Sequence, residues 1–67
     1  MTDRNRKIFA DVYRFYESIE TPKRSEEFWI DAADRMALIL AENGNSDLCR
    51  ALLVVCYDDA AKKLEED

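Results

Sequence analysis

Apolar residues recur early in the chain at Ile8, Val12, Phe15 and Ile19, spacings of four, three and four that share one face of an α-helix. Phe9, Tyr13 and Tyr16 form a second stripe beside the first. Together the stripes span an arc of roughly 160° at 100° per residue, wider than one neighbouring helix covers. The pattern predicts a helix over about residues 3–20, closed by Pro22, because the residue before a proline is pushed out of the α region.

A second period runs through Trp29, Ala33, Met36 and Leu40, flanked by Ala32 and Ile39, and predicts a helix over about residues 25–43. Ser25 supplies a capping hydroxyl, followed by Glu26 and Glu27 where the macrodipole favours negative charge. An earlier start, with Thr21 as cap and Pro22 as the first helical residue, fits the sequence as well. Gly44 ends the helix, since glycine takes the left-handed conformation without a Cβ penalty. Glu27, Asp31, Asp34 and Arg35 occupy the opposite side, which leaves Ile30 and Leu38 as apolar residues with no inward place.

The third helix is expected over about residues 46–64, capped by Ser46 or Asn45, with Cys49, Leu52, Leu53, Cys56, Ala60 and Leu64 on one face. From Ala51 to Tyr57 every residue is apolar, so this segment is greasy all round, as in a helix buried on two sides. Lys62 and Lys63 suit a helix C-terminus while Glu65, Glu66 and Asp67 oppose it, which predicts a frayed tail over 65–67. Short connections make consecutive helices antiparallel neighbours. The expected fold is therefore all-α, a compact antiparallel three-helix bundle occupying residues 1–67 as one domain.

Size sharpens this reading. A chain of 67 residues buries only roughly 60% of its unfolded surface, so a lone core is marginal. Disulfides do not help: Cys49 and Cys56 lie two helical turns apart, roughly 10 Å, beyond the roughly 7 Å a bridge tolerates. Reduced thiols point to a reducing, cytoplasmic setting. The longest apolar run is seven residues, against roughly 20 for a membrane span, and no apolar segment follows the opening residues as in a signal peptide. Helix packing and self-association are the remaining sources of stability. Phe9, Tyr13, Tyr16, Ile30, Leu38, Val54 and Val55 exceed what three short helices hide, and they are the candidate protein interface of an expected homodimer or of an unknown protein partner.

No constellation for chemistry emerges, so no catalytic, cofactor or metal residue is assigned. There is no histidine to activate a cysteine or complete a metal site, and one glycine cannot build a phosphate loop. Asp58 and Asp59, as helix neighbours, diverge by about 100°, and Glu27, Asp31 and Asp34 read as a solvated face. The net charge of −5 is uneven: residues 1–24 hold six basic and four acidic groups, residues 25–67 four basic and eleven acidic. An acidic body argues against nucleic-acid binding. The second and third helices, joined at Asn43-Gly44-Asn45, have the spacing of a helix-turn-helix, but the second of the pair offers Arg50 and then Asp58 and Asp59.

The order of Phe15-Tyr16 in the first helix, Phe28-Trp29 opening the second, and Ala51-Leu52-Leu53 followed by Tyr57-Asp58 resembles a loose group of short uncharacterised helical proteins. These are encoded by prophages and conjugative elements of Gram-positive bacteria. The resemblance implies a small accessory protein and brings no activity or functional residue. The leading expectation is a non-enzymatic homodimeric interaction or adaptor protein. An acidic mobile-element inhibitor of a host nucleic-acid enzyme is the alternative, and a small DNA-binding regulator comes third.

Overall fold

Three hydroxyl caps begin the three helices. Thr2, Ser25 and Ser46 each accept a hydrogen bond from the backbone N–H three residues on, that of Asn5 at 3.2 Å, Phe28 at 3.4 Å and Cys49 at 3.4 Å. Each bond satisfies one of the donors a helix start leaves free. The computed structural model describes residues 2–66, with α1 at Asp3–Ser18, α2 at Glu26–Glu42 and α3 at Asp47–Glu66. Ser25, rather than Thr21, is thus the cap of α2.

The helix ends are where expectation and structure differ. α1 stops at Ser18, not near residue 20, and does so before Pro22 can act. The Ser18 hydroxyl donates to the Phe15 carbonyl at 2.6 Å, and the Ile19 N–H closes a tighter turn onto the Tyr16 carbonyl at 3.1 Å. That geometry turns Ile19 into the core, where it is 2% exposed. α2 ends as expected. Gly44 has φ +67°, its N–H reaches the Ala41 carbonyl at 3.2 Å, and the Asn45 N–H reaches the Leu40 carbonyl at 2.9 Å. This is a Schellman closure. α3 extends to Glu66, two residues past the expected end at Leu64. Arg24, in the α1–α2 connection, donates to the Leu64 carbonyl at 2.8 Å and so caps the end of α3 from outside. Asp67, the last residue of the expected tail, lies outside the described residues.

The fold is an all-α three-helix bundle in which each helix packs against the other two. Long-range contacts set the directions. Asn43 at the end of α2 meets Lys7 and Asp11 of α1, so those two helices run antiparallel. Tyr16 near the end of α1 meets Asp59 and Lys63 in the second half of α3, so α1 and α3 run parallel. The result is a rod of 38 × 19 × 16 Å with a radius of gyration of 12.1 Å, somewhat above the about 11 Å usual for this length.

The core draws unequally on the helices. Ile8, Val12, Phe15 and Ile19 come from α1 and its cap, Cys49, Leu53 and Ala60 from α3, and only Ala32 from α2. Two expectations need correction here. Ala33, placed inward by the sequence pattern, is exposed, and its neighbour Ala32 is 2% exposed. Trp29, expected in the core, is half-buried at its edge, stacked edge-on with Phe28 at 5.0 Å and Tyr57 at 5.2 Å. The reason is common to both. α2 lies over the α1–α3 pair as a cover: Ala32 and Asn43 are its most buried residues, while Trp29, Met36 and Leu40 of the expected stripe pack against the core only in part.

Candidate interaction surface

The surplus apolar residues of the sequence do not share one face. Tyr13 is 63% and Phe9 43% exposed on the edge of α1 that looks toward α3. With Val12, Tyr16 and Cys56 they line a shallow apolar groove of about 300 Å³ between the two helices. Helix geometry carries the surface onto α3, where Leu52 packs against the core and Val55, three residues later, turns outward, 64% exposed. Leu48, seven residues before Val55, occupies the same stripe and is 37% exposed. Helix geometry and the register set by Tyr16 with Asp59 and Lys63 therefore put Val55 and Leu48 on the same side of the bundle as Phe9 and Tyr13, as one ridge along the joined edges of α1 and α3.

The other candidates lie elsewhere. Val54, 46% exposed, points 100° away from Val55, toward the side of α3 that packs on α2. Ile30, 56% exposed, is on the outer side of α2. Leu38, 60% exposed, borders a different groove between α1 and α2, whose walls include Arg14, Arg35 and Glu42. Tyr16 is only half-buried, yet its hydroxyl is already committed. It donates to Asp59 at 2.9 Å and accepts from Lys63 at 2.8 Å, while the Lys63 ammonium lies 4.9 Å from the ring centroid. This triad ties α1 to α3 at the C-terminal end of the ridge.

A second polar cluster secures the opposite side. Asn43 is 6% exposed, the one buried polar side chain among the described residues. Its amide donates to Asp11 at 3.1 Å and to the Ile39 carbonyl at 2.8 Å, and its oxygen accepts from Lys7 at 3.3 Å. Lys7 also bonds Asp11 directly at 2.8 Å. Every demand of the buried amide is met, as a low-dielectric site requires. In the sequence Asn43 stands only at the end of the second helix, in the Asn43-Gly44-Asn45 turn. The available signal was its place at the cap of α2, where a side chain can reach back to the carbonyl four residues earlier.

The electrostatics of both clusters hold charge in place. The Lys7 hydrogen bond, aided by that of Asn43, lowers the Asp11 carboxyl from its usual range, and the same contact raises Lys7. The Tyr16 hydroxyl, aided by Lys63, lowers Asp59, and Lys63 is raised in turn, chiefly through Tyr16. Burial pushes both thiols up, Cys49 in the core and Cys56 under the groove. Among the described residues no group of three or more cysteines and carboxylates is arranged to hold a metal. Among the same residues no helix is long and apolar enough to cross a membrane. Comparison with known protein families, with curated proteins and with solved structures gives no match.

Proposed function

We propose that this chain is a non-catalytic interaction protein that works as a homodimer through the α1–α3 ridge. The observation that carries this reading is the concentration of exposed large apolar side chains, Phe9, Tyr13 and Val55 with Leu48 beside them, on one edge of a 67-residue bundle. Scattered apolar residues are ordinary on a surface, whereas a contiguous patch marks an interaction site. A stable interface takes about 800 Å² from each partner, roughly one-sixth of the 4799 Å² this chain exposes, and the rod's long side offers that scale of contact.

The titratable groups support a binding role over a catalytic one. Each displaced carboxylate and ammonium is driven further into its charged form, the reverse of a group poised to exchange protons near neutrality. The thiols are shifted the other way, toward the neutral S–H, and are poor nucleophiles because the reactive form is the thiolate. Mimicry of nucleic-acid phosphate is the weaker reading. Asp31, Asp47 and Asp59 are paired within their own helices by Arg35, Arg50 and Lys63, which dilutes the acidic surface.

Light scattering across a concentration series tests the proposal. The expected mass is twice the 7.8 kDa of the chain, falling to that of a single chain for Tyr13→Glu. A monomer throughout, or a dimer indifferent to Tyr13→Glu and to Val55→Glu, overturns it.

A further inference from the structure

We infer that the second copy is related by a two-fold axis crossing the ridge at Val55, with the two α1 helices antiparallel; this rests on the self-association proposed above. The first support is the register of α1 against α3. Tyr16 contacts Asp59 and Lys63, and Cys56 lies in the groove with Phe9 and Tyr13, so the parallel helices are offset by about 44 residues. Val55 is therefore level with Asp11, the midpoint between Phe9 and Tyr13. A two-fold axis there places Phe9 against Tyr13 of the second copy, and Val55 against itself.

Charge supplies the second support. Arg6 and Glu17 are both exposed on the outer edge of α1, and neither has an ion-pair partner among the described residues. Their midpoint falls within about 1 Å, along the helix axis, of the midpoint between Phe9 and Tyr13, at 1.5 Å of rise per residue. Antiparallel pairing sets each Arg6 opposite a Glu17, and the two-fold repeats the pair. Parallel pairing sets Arg6 against Arg6 and Glu17 against Glu17, which like-charge repulsion opposes. On α3, Leu48 and Lys62 lie seven residues to either side of Val55, on one heptad stripe. The same axis lays Leu48 along the aliphatic stem of Lys62 from the other copy.

Cross-linking tests the register. In a Cys56→Ala background, with Cys49 retained in the core, Val55→Cys is expected to give a disulfide-linked dimer under mild oxidation, because only a position at the axis brings identical Cα atoms within about 7 Å. Val54→Cys and Leu38→Cys are expected to stay monomeric on a non-reducing gel. Arg6→Glu alone should weaken the dimer roughly tenfold, and Arg6→Glu with Glu17→Arg should restore it. Circular dichroism checks that each variant keeps its helices. A dimer by mass with no link at Val55 and no charge rescue overturns the register and leaves self-association standing. A link at Val54 moves the axis to the α2–α3 face and also overturns it, and a monomer overturns both proposals.

Discussion

Asn43, the last residue turned inward by α2, donates its amide to the Asp11 carboxylate of α1 at 3.1 Å, across a separation of 32 residues. Lys7 bonds both partners, so three side chains form a closed polar contact at the end of the bundle where α1 begins and α2 ends. The contact fixes how α2 is rotated over the core. An inward amide at this position holds Ala32 against the core and leaves Ala33 in solvent.

Replacing Asn43 should therefore be costly. Asn43→Ala removes the α2 side of the network, and the loss is expected to be about 2 kcal/mol, a large share of the stability of so small a domain. Asn43→Asp should cost more, since it sets a carboxylate beside Asp11. Urea unfolding reads both as a lower midpoint at an unchanged slope.

Stability should fall in acid, with a defined contribution from Asp11. Its folded carboxyl titrates below its unfolded value. The corresponding stabilisation is complete above the ordinary carboxylate range and is lost as pH drops through the folded value. Asp59 acts in the same direction. Thermal midpoints measured from neutral pH downward should decline across and below the carboxylate range. For Asp11→Asn the decline should be shallower, from a lower starting point.

Gly44→Ala isolates backbone strain from packing. A Cβ there would meet only the Arg4 guanidinium at 3.5 Å, an ordinary contact, but φ +67° is unfavourable for an L residue. The expected cost is about 1 kcal/mol. Gly44→Asn should cost less, because asparagine tolerates the left-handed region. Denaturation midpoints of the two variants provide the comparison.

The thiols should report both folding and association. Cys49 is fully buried and Cys56 only partly so, beneath the Phe9–Tyr13 groove. Cys56 is expected to react first with a thiol reagent, and more slowly as protein concentration rises and the ridge becomes covered. Cys49 should react only on unfolding. Labelling followed by mass spectrometry separates the sites, and a Cys56 rate independent of concentration would count against the dimer.

Three helices, their hydroxyl caps at Ser25 and Ser46, the Gly44 closure and the buried stripe of α1 were all legible in the sequence. Each is set by interactions within four or five residues, and local spacing records such interactions directly. The exposed apolar surplus was legible too, since composition alone exceeds what three short helices can hide. Its division was not. Phe9, Tyr13 and Val55 share a ridge while Ile30, Val54 and Leu38 do not, because that depends on how each helix is rotated against its neighbours. In α2 and α3 the apolar residues nearly encircle the helix, so their period alone allows several rotations of similar burial. The choice fell to contacts between residues distant in sequence: Asn43 with Asp11, Tyr57 with Trp29, and Tyr16 with Asp59. Such contacts leave no trace in local spacing, and only the assembled bundle brings their hydrogen-bonding groups and aromatic rings together.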